Sequence, residues 1–257
     1  MVDRRVTALQ RLYGPEAAQR IATAHVVVVG IGGVGSWSAE SLARSGVGRL
    51  TLIDMDHVSE SNINRQIHAT DANIGQSKVL AMQERIALIH PQCQVDVVDD
   101  FVTPENWPTL LPCKPDALVD ACDQVKAKVS LAQWALDEGV GFITVGAAGG
   151  KRLAHKVDVD DLSRITHDPL LAQMRYRLRK HHGAAKGGKS IGIQGVFSRE
   201  AVAPPDASCA IEGDGSLNCH GYGSVVSVTA TFGMCAASEI LNFLAVSPRG
   251  RKNDAII

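Results

Sequence analysis

No CxxC pair occurs anywhere in the chain, so a four-thiolate structural zinc site has no support. The 6 cysteines, at positions 93, 113, 122, 209, 219 and 235, lack the dense spacing of a secreted disulfide framework. A hydrophobic signal core is missing from MVDRRVTALQ, and a reducing, cytoplasmic setting is expected. Neither sign of charge is in excess: 26 Lys+Arg against 27 Asp+Glu leave a net charge of −1. A polyanion would therefore have to be held by a local patch rather than by the global field. Internal repeats are absent. The 45% hydrophobic and 21% charged fractions exclude a disordered chain, a coiled coil or a multi-span membrane protein. Only 225–246 has membrane length, and it contains Glu239 and Asn242. A carboxylate inside a span costs about 2.5–3.5 kcal/mol, so this stretch is expected to be a buried helix rather than a membrane anchor.

At 257 residues the chain fits one domain with insertions. The run His25 to Gly30 is short and β-branched, the signature of a strand buried on both faces of a parallel sheet. Similar signals recur at 50–56, 94–98, 116–121 and 141–146, with helices expected at about 33–45, 76–89 and 125–138. Alternation of this kind specifies an α/β fold, a Rossmann-like doubly wound, mostly parallel sheet. Beyond Gly150, strand-like pieces near 156–159 and 191–198 flank a helix that Asp168 can cap, with Pro169 at its first position. The Gly/Pro/Ser/Asp-rich stretch 200–224 reads as a long loop or lid. The expected plan is a single domain over 1–257: a helical arm at 1–24, a nucleotide-binding core at 25–150, and an extension at 151–257 with a closing helix.

Gly30-Ile31-Gly32-Gly33-Val34-Gly35 has G-x-G-x-x-G spacing between a strand and a helix, where backbone N–H groups can face a phosphate. Asp54 ends the second strand about 20 residues beyond the loop, at the place where an acidic side chain accepts from ribose hydroxyls. The loop alone does not choose between NAD, FAD and ATP. The next segment decides, because Arg65 and Lys78 add two cations that a dehydrogenase does not need. An enzyme that breaks the α–β phosphate bond does need them, since charge moves onto pyrophosphate.

The glycine loop, Asp54-Met55-Asp56, Ser61-Asn62, Arg65-Gln66, Lys78 and Asp120-Ala121-Cys122-Asp123 together resemble the ubiquitin-activating-enzyme-like family of acyl-adenylating enzymes. The resemblance implies that Asp54 binds the ATP ribose, that Asn62 and Arg65 contact the phosphates, and that Lys78 neutralises the triphosphate. It further implies that Asp123 holds Mg²⁺, with Gly30, Gly32, Gly33, Gly35, Asp56 and Gln66 completing the nucleotide site. Hard oxygen ligands suit Mg²⁺, and Arg and Lys suit phosphate. Lys78 is expected to face solvent in the empty site.

Members that activate sulfur-carrier proteins commonly carry paired CxxC motifs, which this chain lacks. Its segments RLYG (11–14), 30–46, 51–69, VVDDFVT (97–103) and VTATFG (228–233) are instead similar to a tRNA-modifying branch of the family. That resemblance implies ATP-dependent ring closure of the threonylcarbamoyl group on adenosine 37 of ANN-decoding tRNAs. Activation of a ubiquitin-like sulfur carrier is the alternative. The resemblance also implies a homodimer in which an N-terminal arginine, Arg11 or else Arg5, reaches the neighbour's ATP. A monovalent cation and a cysteine desulfurase system are further candidates from the family, though no residue here singles them out.

The segment 174–189 carries Arg175, Arg177, Arg179, Lys180, Lys186 and Lys189 and no acid, which makes it the candidate tRNA-binding patch. Arg249, Arg251 and Lys252 are the second candidate. Cys209, Cys219 and Cys235 read as non-catalytic thiols, since His220 nearby completes no zinc spacing.

Overall fold

The structure, a computed structural model, describes residues 4–206 and 222–246. Cys209, Cys219, His220, Arg249, Arg251, Lys252 and most of the expected 200–224 loop lie outside the described residues. Helices α1 (Thr7–Tyr13) and α2 (Pro15–Thr23) precede β1 (His25–Val29), α3 (Gly35–Arg44), β2 (Arg49–Ile53), α4 (Lys78–Ile89) and β3 (Gln94–Val98). Then follow β4 (Ala117–Asp120), α5 (Val125–Glu138), β5 (Gly141–Val145), β6 (Val157–Asp161), α6 (Pro169–His181), β7 (Gln194–Ser198) and α7 (Val226–Ala245).

The strands form one seven-stranded sheet in the order β3-β2-β1-β4-β5-β7-β6. All neighbours are parallel except β6, which runs antiparallel to β7. Every residue of β1 is buried, as a central strand covered on both faces requires. The expected strand at 50–56 ends at Ile53, because the Asp54 N–H still bonds Val98 but its side chain turns into the glycine loop.

Helix α7 presents Val228, Thr229, Phe232, Gly233, Ala236, Ala237, Ile240, Leu241 and Leu244 to the core, at spacings of three and four. It is the one helix among the described residues long and apolar enough to cross a membrane, and half of its apolar window is buried inside the protein. Phe232 is completely buried, and truncating such a ring costs about 3–5 kcal/mol. The helix also lies very close to α3: a Cβ on Gly233 would stand 2.5 Å from the Val34 carbonyl oxygen and 2.7 Å from the Trp37 Cβ. Asp168 caps α6 as expected, its Oδ1 accepting from the Leu171 N–H at 2.9 Å with Pro169 in the first turn. Its Oδ2 accepts from the Ala147 N–H at 2.9 Å, which fixes the start of α6 beside the C-terminal end of β5.

Candidate active site

The loops after β1 and β4 diverge at the C-terminal edge of the sheet, because β1 sits between β2 and β4 while the chain continues from β1 to β2. Open α/β sheets bind ligands in the crevice that this reversal creates. Gly30 adopts φ +85°, and a Cβ there would meet the Ala121 carbonyl oxygen at 2.8 Å. A Cβ on Gly35 would fall 1.7 Å from the Gly30 carbonyl oxygen, so this glycine is demanded by packing of the turn itself. Gly33 lies under the stem of Arg65 and against Thr229 of α7, each 3.3 Å from its would-be Cβ. Gly32 alone in the loop has nothing within 4 Å. Its free side is where a phosphate can approach the backbone.

Asp54 is buried and holds the loop: its Oδ2 accepts from the Ile31 N–H at 2.6 Å and its Oδ1 from the Asp56 N–H at 2.8 Å. Burial pushes its carboxyl above the usual range, opposed by Lys78 and by those two backbone donors. Lys78 opens α4 but does not face solvent as expected. It is 6% exposed, its Nζ lies 2.6 Å from Asp56 Oδ2, and its own N–H donates to the Asp56 carbonyl at 3.0 Å. The reason is local: the β-bridge between His57 and Ser77 folds the Asp56 turn back onto the start of the helix. Asp56 stays half exposed, leaving the ion pair open on one side.

Asn62 is buried, its Oδ1 accepting from the Ser59 N–H at 3.1 Å in a capping box that shapes the turn before Arg65. The Arg65 guanidinium donates to the Ser61 carbonyl at 2.6 Å and to Asn64 Oδ1 at 3.0 Å, and its carbonyl accepts from Trp37 Nε1 at 2.9 Å. Gln66 is buried with Oε1 unpartnered. Close by in sequence, His68 is buried with neither ring nitrogen bonded, and burial, then Lys78 and Arg85, push its pKa down to about 4. It is a neutral imidazole at physiological pH.

Asp123 is exposed after β4, with one oxygen accepting from Gln124 Nε2 at 3.3 Å. Its neighbour Asp120 is the centre of a network that sequence reasoning missed. Asp120 Oδ2 takes the Lys128 ammonium at 3.1 Å and the Thr144 hydroxyl at 2.7 Å, and Lys128 also donates to the Val145 carbonyl at 2.7 Å. Both charged side chains are 0% exposed. The available signal was Lys128 standing one helical turn before Leu131 and Ala132 and two before Ala135, on the apolar stripe of α5. Among the described residues no group of three or more His, Cys, Asp or Glu could enclose a metal ion.

Away from this crevice, Arg11 is exposed in the last turn of α1. Within the basic segment, Arg175 and Arg179 turn inward: Arg175 Nη1 donates to the Leu162 and Ile165 carbonyls at 2.9 and 2.8 Å, and Arg179 Nε to the Ala185 carbonyl at 3.0 Å. Lys180, Lys186 and Lys189 are exposed. Burial pushes the thiols of Cys93, Cys122 and Cys235 up, in keeping with unreactive side chains.

Known proteins resemble the chain over nearly its whole length. The tRNA threonylcarbamoyladenosine dehydratase of Haemophilus influenzae is 41% identical over 94% of both chains, and that of Escherichia coli 45% identical over 90% of both. The solved structure of the E. coli tRNA N6-threonylcarbamoyladenosine dehydratase in complex with ATP matches with a TM-score of 0.86 and 40% identity, over 98% of this chain and 96% of that one. The ThiF family model matches residues 3–255, and with that span and these identities the chain belongs to the ThiF family.

Proposed function

We propose that the chain catalyses ATP-dependent dehydration of N6-threonylcarbamoyladenosine at position 37 of tRNA, closing it to the cyclic form. The likeness to the dehydratases carries this reading, because it runs through nearly the whole chain and past the nucleotide loop into α6 and α7. ATP fits the crevice: Gly32 leaves backbone open where a phosphate would lie, Asp54 is fixed at the end of β2, and the Arg65 stem rests on Gly33. Asp123 offers an exposed carboxylate, and Mg²⁺ takes one or two such ligands together with phosphate oxygens. When bound there, Mg²⁺ would neutralise charge on the polyphosphate.

The substrate carboxylate cannot be displaced as such, since oxide and hydroxide leave poorly. Its attack on the ATP α-phosphate expels pyrophosphate, and the neighbouring ureido group then attacks the acyl-AMP carbonyl and expels AMP. Intramolecular attack needs no second substrate and no cysteine nucleophile. In this scheme Asp54 holds the ribose, Asn62 and Gln66 line the site, and Arg65 and Lys78 stabilise the charge that develops on pyrophosphate. The Asp56 carboxylate holds the Lys78 ammonium in position, with Nζ 2.6 Å from Oδ2.

The enzyme acts in the cytoplasm as a homodimer, with Arg11 reaching the neighbour's nucleotide. Arg11 makes no bond to the crevice of its own chain among the described residues, and the exposed Leu12, Val226 and Met234 offer apolar contact surface. Incubation with ATP and threonylcarbamoyladenosine-containing tRNA, followed by nucleoside mass analysis, should show loss of one water. ATP turnover that instead depends on a ubiquitin-like carrier protein would replace this reading with the sulfur-carrier one, which the missing CxxC pairs already disfavour.

A further inference from the structure

Helix α6 carries one face that neither the core nor the nucleotide crevice uses. Gln173, Tyr176, Arg177, Lys180 and His181, spaced by three and four residues, line an open cleft of about 390 Å³ on this face. Tyr176 is 60% exposed, well above what burial of a large aromatic ring would favour. The Lys180 ammonium stands over its ring at 5.6 Å from the centroid. No Asp or Glu occurs between Pro169 and Arg199, so no carboxylate from this stretch neutralises the cations. Arg175 and Arg179, on the other side of the helix, are consumed by backbone carbonyls. The charge on this cleft that can meet a partner is therefore that of Arg177 and Lys180, set beside an aromatic ring.

A face made only for duplex phosphates needs cations and no ring. Cations around an exposed aromatic ring fit unpaired nucleotides, whose bases stack on the ring while their phosphates meet the charges. The helix also starts in the right place. Its N-terminus is tied by Asp168 to Ala147, just past the C-terminal end of β5, and Tyr176 lies two turns along, about 10 Å from there. We propose that Tyr176 is the stacking platform for an unpaired base of the RNA substrate, with Arg177 and Lys180 on the flanking phosphates. The inference rests on the tRNA reading above and narrows it: this face takes looped-out, single-stranded RNA rather than the stem.

Two RNAs of equal length test it: an anticodon stem-loop and a fully paired duplex, each titrated against the full chain and its Tyr176→Ala and Tyr176→Phe variants. Tyr176→Ala should bind the stem-loop roughly 5- to 150-fold more weakly, the range for losing one base–aromatic stack, and the duplex within about 2-fold of wild type. Tyr176→Phe should restore stem-loop binding, since the ring and not the hydroxyl does the stacking. The exposed position means that melting temperatures should not change. Equal stem-loop affinity for wild type and Tyr176→Ala overturns the stacking role, as does an equal loss on both RNAs, which would mark a phosphate or shape contact. A wild-type chain that binds neither RNA overturns the tRNA reading itself, and this inference with it.

Discussion

Replacing Lys78 by methionine separates the chemical role of this residue from its structural one. The Lys78 ammonium is buried, but its partner Asp56 is 54% exposed at the side chain, so removing the cation returns Asp56 to water instead of stranding it. The fold loses one half-exposed ion pair, about 1–2 kcal/mol. In a chain of this size that lowers Tm by about 2–8 °C. The chemical loss is larger. Removing one charge aimed at the atoms where negative charge develops costs about 10²–10³ in rate. Asp54 adds a pH signature. Burial already raises its carboxyl in the folded state and Lys78 opposes that shift, so the variant carries a carboxyl raised further. Folding then disfavours the ionised form more strongly. That penalty is absent at pH values below the unfolded carboxyl pKa of about 3.9 and grows as pH rises through the folded value. Lys78→Met should therefore lose more stability relative to wild type at pH 7 than at pH 4, and its activity should fall away at a higher pH on the acid side. Pyrophosphate release in the presence of tRNA, with thermal melts at both pH values, measures all three. Activity within threefold of wild type would refute phosphate neutralisation by Lys78. The charge reversal Lys78→Glu is a poorer probe, since it would set a third carboxylate beside Asp54 and Asp56 and threaten the fold.

Gly32→Ala should melt within about 1 °C of wild type yet bind ATP at least tenfold more weakly by calorimetry, because its Cβ meets no protein atom and only a ligand can object to it. Gly35→Ala should instead fold poorly, its Cβ falling 1.7 Å from the Gly30 carbonyl oxygen. Lys128→Met should cost about 3–5 kcal/mol in urea unfolding by stranding Asp120, and adding Asp120→Asn should recover part of that loss. Asp161→Asn tests acid stability. Burial raises the Asp161 carboxyl, but hydrogen bonds from Ser163, Ser190 and Ile191 outweigh it and hold the folded value well below the usual range. Its contribution is thus present above the unfolded pKa of about 3.9 and lost as pH falls below it, so wild type and variant should converge in stability at low pH.

The sheet was legible because parallel strands buried on both faces leave unbroken β-branched runs, and His25 to Val29 is such a run. Asp168 with Pro169 marked the start of α6 through chemistry confined to neighbouring residues. The glycine loop was legible as a set, but not the different duties within it. Gly30 and Gly35 are forced by the turn, Gly33 packs closely against the side chains of Arg65 and Thr229, and Gly32 alone is free, a distinction that needs atoms distant in sequence. The basic segment shows the same limit. Its composition counted six cations alike, while the structure turns Arg175 and Arg179 onto carbonyls of nearby loops and leaves the Tyr176 side open.

The burial of Lys78 was illegible for a reason shared with Lys128 and Lys151. Each ammonium lies at the C-terminal edge of the sheet, where strands end and carbonyl groups are left without partners from the ladder. Lys128 donates to the carbonyls of Asp120 and Val145, at the ends of β4 and β5, and Lys151 to those of His167 and Glu200. These partners come from stretches of chain that no local pattern connects, so a solvated lysine and a buried one look alike in sequence. Their placement bears on the chemistry all the same. A buried ammonium satisfied by carbonyls from two loops fixes both loops before any ligand arrives, and groups fixed in advance need no reorganisation when charge moves. Lys128 and Lys151 should therefore act on stability and on the spacing of the crevice walls. Lys78, whose carboxylate partner remains open to solvent on one side, is the one of the three still able to turn toward a phosphate.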